Sequence, residues 1–169
     1  MTVIYFLLFA LFPIGMAFAA ASDLLTMTIS NRLTLGLGAA FLLAAPFSGM
    51  DLTTFGLHLA IAGAVLAIAF GCFAMGWVGG GDAKLATVIA LWFGPDATVA
   101  FLLYASLFGG ALTFGILMFR RRMWPAFIVG QPWLHRLHDQ KAGVPYGIAL
   151  AAAALLVYPH TIWMQMAAG

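Results

Sequence analysis

Two aspartates lie where an apolar segment of the chain meets a polar turn. Asp23 closes the first apolar segment, and Asp82 follows three glycines in the stretch GWVGGGDAKLATVIALWF at residues 76–93. Ionisable groups at membrane depth are rare and often mark a functional site. Two neighbouring carboxylates do not ionise together easily, so one keeps its proton, and the pair offers a general base beside a general acid. Such a pair can activate water against a peptide carbonyl without a metal or a covalent nucleophile.

Each aspartate also has an ordinary structural interpretation. Asp82 comes after glycines at the start of an apolar segment, which is typical of a helix N-cap that satisfies free backbone N–H groups. Asp23 can be a polar residue that ends a membrane span. The catalytic interpretation requires both side chains to reach the same face of the membrane, so it depends on the order of the spans.

The composition places this chain of 169 residues in a membrane. Hydrophobic residues make up 64% and charged residues 7% of it, whereas a soluble domain carries about a quarter charged residues. Seven Lys and Arg residues against five Asp and no Glu are too few charges for a nucleic-acid-binding surface. The single cysteine, Cys72, can form neither an intrachain disulfide nor a Cys-rich zinc site.

Apolar segments recur six times along the chain. They lie at about residues 3–21, 33–48, 55–76, 83–93, 97–119 and 144–162. Since a membrane-spanning helix needs roughly 20 apolar residues, the sequence predicts an all-α polytopic membrane protein with about six transmembrane helices. No stretch remains for a soluble domain, so residues 1–169 are expected to form a single transmembrane domain. The first basic residue is Arg32, and a signal peptide begins with basic residues, so the first segment is interpreted as a retained span.

The basic residues predict the orientation of the spans. With the N-terminus outside, the cytoplasmic segments are 22–32, 77–82 and 120–143. All seven Lys and Arg residues then lie at the cytoplasmic side, as the positive-inside rule requires. Asp23 and Asp82 share that side, whereas Asp51 and Asp96 face outside. The fourth segment runs only twelve residues, from Asp82 to Phe93, about 18 Å of helix. Asp82 is therefore expected to be recessed in the membrane; the alternative is that the break at Gly94-Pro95 is itself buried, which places Asp82 at the interface.

Other functions fit the sequence less well. An Asp23–Asp82 pair could couple ions in a small transporter or a proton or cation pathway, but transporter sites gather at the membrane midplane and both aspartates lie at one side. A structural membrane subunit is a further alternative.

His135 and His138 lack a carboxylate or Cys partner at a spacing suited to a metal and are interpreted as a solvated face. Glycines inside the apolar segments, such as Gly109 and Gly110, are typical of close helix packing.

Three segments resemble type IV prepilin peptidases. The stretch GGGDAKL at residues 79–85 fits their G-x-G-D-x-K pattern, and Asp23 followed by LLTMTISNRL is similar to their first catalytic segment. The stretch VPYGIAL at residues 144–150 resembles a segment at the start of their last span. The number and spacing of the spans are also similar, and the chain is closest to the short form, the peptidases of the tight-adherence (Flp) pilus system.

The resemblance implies an aspartic endopeptidase of the bacterial inner membrane. Such an enzyme removes the leader of pilin precursors at the cytoplasmic face, usually just after a glycine and before a hydrophobic helix. Asp23 and Asp82 would be the catalytic pair. The residues implied to bind substrate or support the site are Gly79, Gly81, Lys84, Asn31, Pro145, Tyr146 and Gly147. The implied partners are a prepilin with a short basic leader and membrane lipids, and no metal, cofactor or nucleic acid is expected.

Several details of the resemblance bear on activity. Lys84 has three roles open to it: it can bind substrate, hold a phospholipid head group or tune Asp82. The first segment of the family often ends in Pro-Asn, whereas here it ends in Ser30-Asn31. This departure affects the expected shape of the loop after Asp23 and not the role of Asp23. Longer relatives carry paired cysteines and also methylate the new pilin N-terminus. Here Cys72 is alone, so peptidase activity without N-methyltransferase activity is expected.

Overall fold

The computed structural model describes residues 2–122, 125 and 130–168, with the side chains of residues 2–9 and 166–168 left undescribed. Its α-helices are α1 (Thr2–Thr26), α2 (Asn31–Ala44), α3 (Leu52–Ala74), α4 (Gly80–Arg121), α5 (Pro132–His138), α6 (Gly147–Val157) and α7 (Ile162–Ala168). Short 3-10 turns at Ala45–Phe47 and Tyr158–His160 follow α2 and α6. The described part of the chain contains no strand. Part of the loop predicted at 120–143, including Trp124, lies outside the described residues.

The prediction of an all-α membrane protein is confirmed. Helices α3 and α4 are long and apolar enough to cross a membrane, and shorter apolar helices occupy Ala10–Thr26, Asn31–Phe47 and Gly147–His160. Large side chains such as Leu35, Ile68 and Leu103 are exposed on the outer faces of the helices, as lipid contact requires. The count of six spans and the external N-terminus stay predictions.

Side-chain caps define where two of the helices begin. Ser30 caps α2, its hydroxyl accepting the Leu33 N–H at 3.3 Å. Asp51 caps α3, its carboxylate accepting the Thr54 N–H at 3.0 Å. These bonds satisfy backbone donors that have no partner within the helix. Hydrogen bonds from the side chain and backbone of Thr54 also lower the pKa of Asp51.

Helix α4 is two antiparallel arms joined at Gly94. This residue has φ 63° and ψ −163°, outside helical geometry, and Pro95 follows it. Asp82 and Ala105 border the same groove, although 23 residues along a straight helix would separate them by about 35 Å. The chain therefore turns back at Gly94, and we call residues 80–93 the first arm and residues 95–121 the second arm. They correspond to the fourth and fifth predicted spans.

The turn at Gly94 is covered by protein. Gly94 is buried whereas Asp96 is exposed, and the His58 ring occupies the space where a side chain at position 94 would project. His58 Nδ1 lies 2.7 Å from the Leu91 carbonyl oxygen and donates to it. Irregular backbone at membrane depth needs such cover, and the imidazole supplies it from α3.

An aromatic core joins the first arm to α1, α2 and α7. Trp92 donates through Nε1 to the Leu37 carbonyl at 3.0 Å, and Trp163 donates to the Trp92 carbonyl at 2.6 Å. The Phe12 and Phe41 rings pack on Trp92 with centroids 5.2 Å and 6.0 Å away. All four side chains are fully buried. Because both indole donors have partners, the tryptophans can be buried without an unsatisfied polar group, and they fix the position of the first arm.

Gly94→Ala is expected to destabilise the protein because residue 94 has a positive φ and because the new methyl group would overlap the His58 ring. Backbone strain alone at such a position costs about 1–3 kcal/mol. The measurement is the thermal unfolding midpoint in detergent. Gly110→Ala is the control, since nothing lies within 4 Å of its added methyl group. Equal midpoints for the two variants would contradict the buried turn.

Candidate active site

Asp23 lies in the last turns of α1 and is 5% exposed. Its Oδ2 accepts the backbone N–H of Gly147 at 2.7 Å, at the start of α6. A Cβ at position 147 would stand 2.8 Å from that oxygen and 2.8 Å from Ile29 Cδ1. Only glycine therefore lets the α6 N-terminus approach the carboxylate this closely. The contact joins two parts of the chain that are 124 residues apart.

Asp82 lies in the first turn of α4, but it is not the N-cap. The N-cap is Gly79, which has extended φ and ψ, so Asp82 occupies the third helical position. Its carboxyl group turns back and takes a hydrogen bond from the Gly79 backbone, in the manner of the acidic partner in a capping box. The prediction that Asp82 is the N-cap residue is therefore wrong, since Gly79 is the N-cap. The Asp82 carboxyl group still accepts a backbone hydrogen bond at the start of the helix.

The three glycines before Asp82 are each close to another group of this chain. A Cβ on Gly79 would stand 2.9 Å from Asp82 Oδ2, one on Gly80 3.2 Å from the Phe73 ring, and one on Gly81 3.2 Å from Ile29 Cβ. The glycines thus let α3, the α1–α2 loop and the Asp82 carboxyl group approach the start of α4. Each of these glycines therefore has a packing reason within the protein itself.

Asp23 and Asp82 border the same cavity. It has a volume of about 740 Å³, and its wall also includes Trp77, Thr113 and Tyr146. A smaller cavity of about 230 Å³, between the α1–α2 loop and the glycines, is bordered by both aspartates as well. Asp23 is close enough for its charge to act on Asp82. Two carboxyl groups facing a space large enough for water and a peptide can act together as base and acid.

The segment before α6 forms another part of the cavity wall. Pro145 is fully buried, and Tyr146 donates its hydroxyl to the Ala105 carbonyl at 3.2 Å. The Tyr146 ring lies where a side chain on Gly109 would project, so position 109 has to be glycine. The packing interpretation thus holds at Gly109, whereas Gly110 has open space beside it. The sequence did not single out Gly109, because it has the same apolar surroundings as several other glycines.

Arg120 holds the loop that leads to Tyr146 and Gly147. Its Nε donates to the Leu137 carbonyl at 2.7 Å, and its terminal nitrogen donates to the carbonyls of Ala142 and Gly143 at 3.0 and 2.8 Å. Sequence reasoning used Arg120 only for topology. Its planar fork of donors suits this task, but no sequence signal pairs it with those carbonyls.

Lys84 and Asn31 lie on another side of the first arm. Lys84 Nζ donates to Asn31 Oδ1 at 2.8 Å, and neither residue borders the cavity of the two aspartates. Positions two apart on an α-helix differ by about 200° in direction. Lys84 therefore points away from Asp82, and the pair formed with Asn31 links the first arm to α2.

The two histidines of the loop have different surroundings. His135 is exposed, as a solvated face predicts, but His138 is half-buried with its ring edge-on to Phe119, 5.5 Å between centroids. Part of that interpretation is therefore wrong, because α5 packs against the second arm. Among the described residues, no three His, Cys or Asp side chains are close enough to hold a metal ion.

Comparison with known proteins bears on the same residues. The model of the type IV leader peptidase family matches residues 10–114, more than half of the chain, and this stretch includes both aspartates. The chain belongs to the type IV leader peptidase family. The resemblance to this family noted in the sequence is thereby confirmed, and the chain is a membrane peptidase; the likeness to the short form of the tight-adherence system stays a prediction. No curated protein and no solved structure gives a significant match. The matched stretch ends before Pro145, so the place of the α6 segment in the site rests on its own contacts, the hydrogen bond of Gly147 to Asp23 and the position of Tyr146 on the cavity wall.

Gly147→Ala is expected to lower peptidase activity more than it lowers stability. The added methyl group would push against Asp23 Oδ2 and Ile29, so the carboxylate would lose its donor or shift. The measurement is cleavage rate together with the thermal midpoint. Gly115→Ala, with nothing within 4 Å of the new methyl group, is the matched control. Full activity of Gly147→Ala would show that this contact does not position Asp23.

Proposed function

We propose that this peptidase is an aspartic endopeptidase that removes the leader of prepilin precursors at the cytoplasmic face of the bacterial inner membrane. The observation that carries the proposal is that Asp23 of α1 and Asp82 of α4 border one cavity and interact electrostatically. The basic residues support the orientation, since the positive-inside rule predicts that those near the ends of α4 and in the following loop lie at the cytoplasmic side, as Asp23 and Asp82 are predicted to do. Membership of the family supports the substrate class.

The chemistry needs one ionised and one protonated carboxyl group. The ionised aspartate takes a proton from water while the water oxygen bonds to the peptide carbonyl carbon. The other aspartate gives its proton to the carbonyl oxygen, which neutralises the developing charge. When the tetrahedral intermediate collapses, the C–N bond breaks and the amine leaves with a proton from the first aspartate. The second aspartate takes a proton back from one of the two hydroxyl groups on the carbon, and the new carboxyl group forms. The Gly147 and Gly79 backbone donors hold the two carboxyl groups in place during these steps.

The surroundings of Asp82 favour a substrate with an apolar helix next to the cut. A groove of about 320 Å³ runs from Asp82 between α3 and the second arm, past Ile68, Ala105 and Ser106. Its wall is mainly apolar, with small side chains that let another helix approach. A pilin precursor has such a helix directly after its leader. With the helix in this groove, the leader junction reaches the cavity that holds both aspartates.

Either Asp23→Asn or Asp82→Asn is expected to abolish cleavage, because each removes a group that must carry or accept a proton. The loss should be about 10²–10⁴-fold or more. The measurement is leader removal from a prepilin-like precursor by the purified, membrane-reconstituted protein. Asp51→Asn and Asp96→Asn are the controls, since Asp51 caps α3 and Asp96 is an exposed residue after Gly94. Normal cleavage by Asp23→Asn with unchanged folding would refute the pair.

Ser106→Trp is expected to fill the groove beside Asp82 and raise the KM for a full precursor. The KM for a short soluble peptide that contains only the leader junction should stay the same, because that peptide does not need the groove. Leu103→Trp is the matched control, exposed on the same arm but outside the groove wall. Equal KM changes for precursor and peptide would place the apolar helix elsewhere.

A further inference from the structure

Lys84 carries a positive charge, and its hydrogen-bond partner, the side-chain amide of Asn31, is neutral. Its ammonium group donates one hydrogen bond, to the amide oxygen of Asn31, and has two further N–H donors. All five aspartates of the chain are among the described residues, and within those residues none forms an ion pair with Lys84. The side chain is exposed, so its charge and two donors are available to a ligand.

A groove with one polar and one apolar end begins at Lys84. It has a volume of about 400 Å³ and lies between α2, α3 and the first arm. Lys84, Asn31 and Thr34 border its polar end, and Leu35, Leu66 and Leu91 border the apolar remainder. The Thr34 hydroxyl donates to the Asn31 carbonyl at 3.2 Å, which leaves Lys84 as the strong donor at that end. We call this feature the Lys84 groove.

We propose that the Lys84 groove binds an anionic phospholipid of the bilayer. The phosphodiester would accept hydrogen bonds from Lys84 Nζ, and one acyl chain would lie along Leu35, Leu66 and Leu91. Charge complementarity favours this occupant, because a zwitterionic lipid brings its own cation whereas an anionic lipid compensates the unpaired ammonium group. Asn31 is the first residue of α2 and Lys84 lies near the start of α4. The polar end of the groove is therefore near the ends of two helices, where the head group of a bilayer lipid would be.

The lipid would brace the first arm without entering the candidate active site. Lys84 and Asp82 point to different sides of the same helix, and the Lys84 groove shares no residue with the cavity of the aspartates. A lipid on Lys84 and Asn31 would join α2 to the arm that carries Asp82. This inference does not rest on the proposed peptidase mechanism, and either can fail while the other holds.

The test is native mass spectrometry of the purified full chain with added dioleoyl phosphatidylglycerol or dioleoyl phosphatidylcholine. The wild-type protein is expected to retain more phosphatidylglycerol, and Lys84→Gln should lower that retention about fivefold, the effect of one basic residue near an anionic surface. Lys84→Arg should retain the lipid. Arg121→Gln, a basic residue outside the groove, is the control. Equal retention of the two lipids by wild type, or unchanged retention by Lys84→Gln, would overturn the proposal.

A second variant tests the acyl-chain part of the groove without removing the charge. Leu35→Trp should fill the groove and lower phosphatidylglycerol retention, whereas Leu43→Trp, exposed on the same helix but outside the groove, should not.

Inorganic phosphate should fail to displace the lipid, and displacement at millimolar phosphate would make this an anion site and refute the lipid assignment. If Lys84→Gln slows cleavage of a soluble peptide while lipid retention is unchanged, Lys84 serves the substrate and the proposal is wrong.

Discussion

A carboxylate removed from water must find its hydrogen bonds inside the protein, and Asp23 finds one at the Gly147 N–H. Much of the neighbouring structure follows from that contact. Residue 147 has to be glycine, because a Cβ would collide with the carboxylate and with Ile29. The start of α6 has to reach the end of α1, and Arg120 secures the loop that brings it there. A short polar contact thus ties the start of α6 to the end of α1.

The reversal of α4 at Gly94 has a comparable effect on Asp82. Because the second arm returns along the first, Ala105 and Gly109 stand near residues at the start of the first arm. Tyr146 fits against Gly109, donates to the Ala105 carbonyl, and lies on the wall shared by the cavity and the apolar groove. A straight helix could offer Asp82 no such wall. The turn that permits it is stabilised far from the aspartates, by His58 and by the aromatic core around Trp92.

The first arm has different functions on its different sides. Asp82 points into the cavity, Lys84 points to α2 and the Lys84 groove, and Leu85 and Ile89 are fully buried in the core. A helix of 3.6 residues per turn separates side chains that are adjacent in sequence. The short motif GGGDAKL therefore does not describe a single cluster of groups. Its aspartate and its lysine serve separate surfaces, and its glycines serve the packing of Phe73 and Ile29.

The sequence by itself determined the class of protein, the apolar segments that become helices, and the two aspartates worth testing. Composition and charge are sums over residues, and the family pattern around Asp82 is local, so neither needs the fold. Only the tertiary structure decided which groups meet. Gly147 and Asp23 are 124 residues apart, Tyr146 and Gly109 are 37 apart, and Lys84 and Asn31 are 53 apart. The position of Asp82 as the third residue of its helix and the cover of Gly94 by His58 were equally undetermined, because a backbone turn and its packing depend on residues that adjoin only after folding.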